Sequence, residues 1–118
     1  MVSKRLSLNQ ATLLKKHRYI LKKLASTNEV NRRKILKNSP SELFKTLNII
    51  FKLIDNNQLN LSTNQASKIK KHKRLIKSTS KLNGNHIKGK LTRQRGGALG
   101  TILSAVLPVI GGLIKGIF

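Results

Sequence analysis

The chain has no cysteine and no tryptophan, and among its 118 residues it has only two prolines, three acidic residues and four aromatic ones. Without cysteine it can form neither a disulfide nor a thiolate metal site, so it has no reason to avoid a reducing compartment. So few aromatic residues cannot build the stacking platforms that bind single-stranded nucleic acid. A chain of this length has room for one domain, with a small core.

The acids and histidines are too scattered for catalysis. Glu42 and Asp55 lie thirteen residues apart, about 20 Å along a helix, so they cannot act as a carboxylate pair. Each histidine lacks a second metal ligand at helical spacing. We therefore expect no enzymatic activity, no catalytic residue, no metal site and no cofactor. The three isolated histidines are His17, His72 and His86.

Positive charge dominates the composition. The chain contains 25 Lys and Arg residues and three acidic residues, which gives a net charge of +22. Such self-repulsion opposes compaction unless an anionic partner neutralises it, and nucleic acid is the partner we favour. Neutralising 22 charges would take roughly 37 Å of duplex, or about 11 base pairs. Anionic lipid and a merely solvated surface are the alternatives.

Two helices are predicted in the first third of the chain. Apolar residues recur at helical spacing from Leu8 to Ala25, with lysines on the other side. Thr27 or Asn28 can cap a second, short helix that runs to about Lys37. The amino-terminal residues do not resemble a secretory signal, because basic residues interrupt the apolar positions early.

A third helix is predicted from Pro40 to about Asp55, since Ser39-Pro40-Ser41-Glu42 combines a capping hydroxyl, a proline and a carboxylate. It carries no net charge and its wide apolar face makes it the core helix. A fourth helix starts at Ser62-Thr63-Asn64-Gln65, a capping-box pattern, and runs to about Ser78. The core residues of the third helix are Leu43, Phe44, Leu47, Ile49, Ile50, Phe51, Leu53 and Ile54.

The predicted fold class is all-α. Residues 1–80 form a small basic bundle of about four short helices, residues 81–97 a basic, disordered linker with a Gly-Gly junction, and residues 98–118 a separate apolar helix. The last segment is long enough to cross a bilayer. Its small and polar residues form a stripe, which favours a helix that lies in a membrane interface or packs against its own kind. A buried helix of a larger assembly is the alternative.

Phosphate contacts are predicted along the basic helices, without sequence specificity. The most basic helix also has the composition of a nuclear import signal. The predicted contacts are Lys15, Lys16, Arg18, Lys22, Lys23, Arg32, Arg33, Lys34, Lys68, Lys70, Lys71, Lys73, Arg74 and Lys77. The residues predicted to meet membrane or a second copy are Leu99, Ile102, Leu103, Val106, Leu107, Val109, Ile110, Leu113, Ile114, Ile117 and Phe118.

The chain combines basic helices, a Lys-rich linker, the junction Gln94-Arg95-Gly96-Gly97 and an apolar tail. In this combination it resembles core protein X of adenoviruses, which is the precursor of the mu peptide. It resembles more closely the protein X-like virion proteins of adintoviruses and Maverick/Polinton elements. The resemblance implies a virion protein that helps to condense double-stranded DNA, with the host nucleus as its place of assembly. The match is most specific from about Arg93 to Phe118.

The resemblance also gives the junction a role. The maturation cysteine protease of adenovirus-type viruses cuts after such a pattern, which implies cleavage between Gly97 and Ala98. The pattern is matched by Gln94, Gly96 and Gly97 and allows any residue at Arg95. The released tail could contact capsid protein or an anionic membrane. Two alternatives remain open: a membrane-active protein, lytic or host-defence-like, and a tail-anchored membrane protein.

Overall fold

Helices make up the secondary structure of the residues that the structure describes. A computed structural model describes residues 8–82, 84–93 and 98–113, and the predicted all-α class is confirmed, since these ranges contain helices and no strand. The eight helices within them are α1 (Leu8–Lys16), α2 (Arg18–Ser26), α3 (Glu29–Asn38), α4 (Ser41–Asp55), α5 (Thr63–Lys70), α6 (Lys73–Ser80), α7 (Gly84–Arg93) and α8 (Ala98–Leu113).

Helix α4 is the centre of the core, as its pattern predicts. Phe44 and Phe51, one heptad apart, are both fully buried, and every other predicted core residue of α4 is buried with them. Helices α1, α6 and α7 pack against α4. The amide nitrogen of Asn48 lies 3.0 Å from the carbonyl oxygen of Leu82 and 3.1 Å from that of Ser80, so α4 also caps the carboxyl end of α6.

Two predicted helices are each split at a histidine, so residues 8–80 form six helices where about four were predicted. His17 (φ −103°, ψ 12°) separates α1 from α2, and His72 (φ −108°, ψ 17°) separates α5 from α6. The backbone N–H of His17 donates to the carbonyl oxygen of Leu13, and the backbone N–H of Leu21 donates to that of His17. These hydrogen bonds continue the helical pattern, so the chain bends without a loop. The bend lets α1 pack against α4 while α2 packs against α8.

Two predicted helix starts are confirmed. Asn28 caps α3, because its side chain accepts a hydrogen bond of 2.8 Å from the backbone N–H of Asn31. Ser62 and Gln65 form a reciprocal capping box at α5, with bonds of 3.2 Å and 2.8 Å. These local patterns fix where α3 and α5 begin.

The start of α4 differs in its chemistry from the prediction. The helix begins at Ser41 after Pro40, and no side chain caps it. The hydroxyl of Ser39 turns back and donates to the carbonyl oxygen of Ile35 at 2.5 Å, at the end of α3. Ser39 therefore stabilises the helix before it and not the one after it.

Part of the predicted disordered linker is helix α7. Ile87 and Leu91, four residues apart, are buried in the core although glycines flank them. Helix α7 packs against α3 and α4, and the ammonium group of Lys88 lies 5.7 Å from the centre of the Phe44 ring. Tertiary packing therefore outweighs the weak helix propensity of this glycine-containing segment.

Helix α8 is not separate from the bundle, which corrects the prediction. It packs against α2 and α5, and its apolar face joins the same core as α4. The predicted small and polar stripe is its outer face, since Thr101, Ser104 and Pro108 are exposed. Burial inside the chain removes the apolar face from water as a membrane would. The buried face comprises Leu99, Ile102, Leu103, Val106, Leu107 and Ile110.

The carboxyl end of α2 is where three helices meet. Arg32 of α3 donates through Nε to the carbonyl oxygen of Leu24 at 2.8 Å and through Nη2 to that of Thr27 at 2.5 Å. Ser104 of α8 donates to the carbonyl oxygen of Ala25 at 3.1 Å. These donors satisfy carbonyl groups that the end of a helix leaves unpaired, and the cation complements the helix dipole.

Gly100 lets α8 approach this end of α2. A Cβ atom at position 100 would overlap the guanidinium group of Arg32, whereas a Cβ at Gly112 would meet no atom within 4 Å. Only glycine therefore fits at position 100 while Arg32 keeps its hydrogen bonds.

We expect Gly100→Ala to destabilise the protein by about 1–3 kcal/mol, because Arg32 must shift away from its carbonyl partners. Gly112→Ala is the matched control in the same helix, with stability unchanged or raised by up to about 1 kcal/mol. Urea unfolding followed by circular dichroism measures both. Equal stability of the two variants would contradict the close approach.

A second pair of variants tests whether α8 belongs to the core. Ile102→Ala should cost about 2–5 kcal/mol, as expected of a fully buried side chain. The exposed neighbour Thr101→Ala should change the free energy of unfolding by no more than about 0.5 kcal/mol. If α8 were a separate tail, neither substitution would move the unfolding midpoint of the body.

Candidate nucleic-acid interface

Exposed cations cover the helical body. Seven of the fifteen lie on α2, α5 and α6, whose apolar residues face the core and so turn the charged residues outward. Those of the predicted set that are exposed are Lys15, Lys16, Lys22, Lys23, Lys34, Lys68, Lys70, Lys71, Lys73, Arg74 and Lys77. The prediction missed four further exposed lysines, none of which has another Lys or Arg within two positions in the sequence. These are Lys37, Lys45, Lys52 and Lys81.

Helices α5 and α6 carry the densest charge. Buried Ile69 and Ile76 hold the two helices against the core, and the cations around them are exposed. The structure divides these cations into two sets. Lys70, Lys73 and Lys77 line a groove. The other set, Lys68, Lys71 and Arg74, lies outside the lining of that groove.

The cations of α1 and α2 are partly engaged in internal contacts. Lys16 forms an ion pair with Glu42 of α4, with 2.6 Å between Nζ and Oε1. Arg18 is half-buried, donates to the carbonyl oxygen of Lys15 at 2.7 Å, and stacks 4.6 Å from the centre of the Tyr19 ring. These contacts orient the two side chains along the surface of the body.

Arg32 is buried, with 8% of its surface exposed, which does not fit its predicted role as a phosphate contact. Burial lowers the pKa of its guanidinium group and the charge of Glu29 opposes this shift. The neighbouring Arg33 is half-buried and pairs with Glu29 at 2.7 Å. Arg32 lies four residues before buried Leu36, so helical spacing was the signal that places it on the inner face.

The histidine at the first bend has a structural position. His17 is buried, and its Nδ1 lies 2.9 Å from the carbonyl oxygen of Leu13 and 3.2 Å from the hydroxyl of Thr46. The carbonyl can only accept, so Nδ1 carries the proton. Within the part of the chain that the structure describes, no three His, Asp or Glu residues come together as metal ligands would.

The structure describes eight of the eleven predicted tail residues. The buried face of α8 holds six of them, and Val109 is half-buried. Leu113 ends the helix, and Ile114, Ile117 and Phe118 lie outside the described residues. Across the described ranges, none of the helices has both the length and the apolar character needed to cross a bilayer.

The predicted processing site is described only on one side. Gln94, Arg95, Gly96 and Gly97 lie outside the described residues. Ala98 is the first residue of α8 and is 3% exposed.

Comparisons of the chain with protein-family models, with curated proteins and with solved structures found no match.

The ion pair between Lys16 and Glu42 predicts a pH effect on stability. The hydrogen bond from Lys16, reinforced by its charge, lowers the pKa of Glu42. A carboxylate with a lowered pKa stabilises the fold above its unfolded pKa, and this stabilisation disappears as the pH falls through the folded pKa. Glu42→Gln should therefore unfold more easily than the wild type at pH 7, with a difference that vanishes in acid. Unfolding midpoints measured at low salt at both pH values test this, and a difference independent of pH would contradict it.

Proposed function

We propose that this protein is a non-enzymatic component of a virion that binds double-stranded DNA without sequence specificity and helps to condense it. One observation carries the proposal. Fifteen Lys and Arg residues in the described ranges are exposed, and the three carboxylates of the chain can neutralise no more than three of them. A compact polyanion is the partner that relieves such an excess.

The dimensions of the body suit a duplex partner. Its longest extent is 40 Å and its radius of gyration is 13.1 Å. The roughly 37 Å of duplex that would neutralise its charge is close to this length. One molecule can therefore match the charge of the DNA that it covers, which is the stoichiometry expected of a packaging protein.

The resemblance to the protein X-like virion proteins supports the finer part of the proposal. On that resemblance, the protein acts inside a capsid after assembly in the host nucleus, and a maturation cysteine protease cuts between Gly97 and Ala98. The burial of α8 adds an expectation of its own. After such a cut, α8 stays bound to the body, because its apolar face is in the core.

We do not propose membrane activity. Six of the apolar residues that a membrane-active or anchoring tail would use are already buried in the core, where α8 packs against α2 and α5. The face of α8 that reaches solvent carries Thr101, Ser104 and Pro108, which offer little apolar area to a bilayer.

Salt dependence tests the DNA-binding proposal. With about ten phosphate contacts, the affinity for duplex DNA should fall by roughly 10³–10⁵ between 50 and 200 mM salt. Two labelled duplexes of unrelated sequence, titrated by fluorescence anisotropy, should give the same affinity and the same slope. An affinity that barely changes over this range would exclude the proposal.

A triple variant locates the phosphate-binding cations on α5 and α6. Changing Lys68, Lys71 and Arg74 to Gln should reduce the slope of log affinity against log salt by roughly 0.9 for each phosphate that is no longer neutralised, hence about 2.7 in all. Arg32→Gln is the internal comparison. It should lower the unfolding midpoint and leave the slope unchanged, because Arg32 is buried. If folded Arg32→Gln protein gave a smaller slope of log affinity against log salt than the wild type, Arg32 would contact phosphate, and its separation from the exposed cations would be wrong.

A further inference from the structure

A groove lies between the carboxyl end of α4 and helices α5 and α6. Its volume is about 780 Å³, within the range of sites that hold ligands or short peptide segments. Ile54, Ile69 and Ile76 line it from the core side, and Leu61 and Ala66 extend the apolar lining toward solvent. The three isoleucines are almost completely buried, with 9%, 7% and 3% of their surfaces exposed, so the apolar area that a partner would remove from water comes mainly from half-buried Leu61 and exposed Ala66.

Three lysines border this apolar floor. Lys70 ends α5, while Lys73 and Lys77 lie one turn apart on α6, and all three are exposed. One carboxylate, Asp55, lies at the edge of the groove, where Ser80 Oγ is 3.4 Å from its Oδ2. The rim therefore carries three positive charges and one negative charge around an apolar floor.

We propose that this groove binds an acidic amphipathic helix of another protein. The apolar face of such a helix would cover Leu61 and Ala66 and the small exposed parts of the isoleucines beneath them, and its carboxylates would reach the lysines on the two helices. A hydrogen-bond donor or cation on the same partner would meet Asp55. The argument for this partner does not rest on DNA binding, although Lys70, Lys73 and Lys77 are also among the predicted phosphate contacts.

The alternatives to this partner fit the groove less well. A second copy of the chain would bring another +22 charges to a positive rim. A DNA duplex would contact the lysines but leave the apolar floor uncovered. A fatty acid would cover part of the floor, but its single carboxylate would leave two of the three lysines without a partner.

A matched pair of variants separates binding in the groove from attraction to the whole basic surface. Ala66→Arg fills the groove, and Asn64→Arg adds the same charge two residues away on the same helix, outside the groove lining. The probe is a fluorescein-labelled synthetic helix with leucines along one face and glutamates beside them. Its comparator carries glutamine in place of every glutamate. The full-length chain is used throughout.

Ala66→Arg should weaken binding of the acidic helix about tenfold, in spite of its added positive charge, and Asn64→Arg should leave the affinity unchanged or raise it slightly. The glutamine peptide should bind more weakly than the acidic one to the wild type. Equal affinities of the two variants for the acidic helix would overturn the proposal. The proposal would also be overturned if Ala66→Arg, but not Asn64→Arg, abolished binding of monomeric oleate while neither variant changed the affinity for the acidic helix. The groove would then be a lipid site.

A second comparison covers the case that Ala66→Arg does not fold. Lys70, Lys73 and Lys77 are changed together to Gln, and the control changes Lys15, Lys23 and Lys34 in the same way. Both triple variants remove the same charge from exposed positions. Only the first should weaken binding of the acidic helix about tenfold, and equal weakening by both would show diffuse attraction and refute the groove.

Discussion

The mutual repulsion of the cations is the constraint that the rest of the fold has to satisfy. A net charge of +22 opposes compaction, and a domain of this size has only a few kcal/mol of stability to spare. The chain meets this constraint by placing its two most apolar helices, α4 and α8, in the core. Helix α4 has no net charge and α8 has no charged residue, so the charge lies on the helices that cover them. The cations are thereby spread over the outside of the body.

Local signals predicted those parts of the fold that local chemistry determines. The caps at Asn28 and Ser62 and the apolar face of α4 need no distant partner, and all three are confirmed. The position of α8 depends on groups far away in the chain, such as the carbonyl of Ala25, which Ser104 reaches from 79 residues further on. The same holds for α7, which is stabilised by packing of Ile87 and Leu91 against α3 and α4 despite its glycines.

Most of the arginines at the candidate interface have different surroundings from most of the lysines. Arg18, Arg32 and Arg33 make contacts within the body, and the forked guanidinium group of Arg32 binds two carbonyl oxygens at once, whereas Arg74 is exposed. Most lysines of the described ranges point into solvent as compact charges. Composition alone predicted a phosphate-binding surface but could not separate these roles, because the side of α3 on which a cation lies decides whether it is buried, as Arg32 is, or exposed, as Lys34 is. A surface built mainly from lysine attracts phosphate without reading bases.

The place of α8 in the chain order has a consequence for the synthesis of the protein. Translation produces α8 after the seven other described helices, yet α8 is the main packing partner of both α2 and α5. Until then the nascent chain exposes leucine and isoleucine side chains that α8 later covers. The emergence of α8 therefore sets the moment at which this part of the core closes, and a slow passage through this stage favours aggregation over folding.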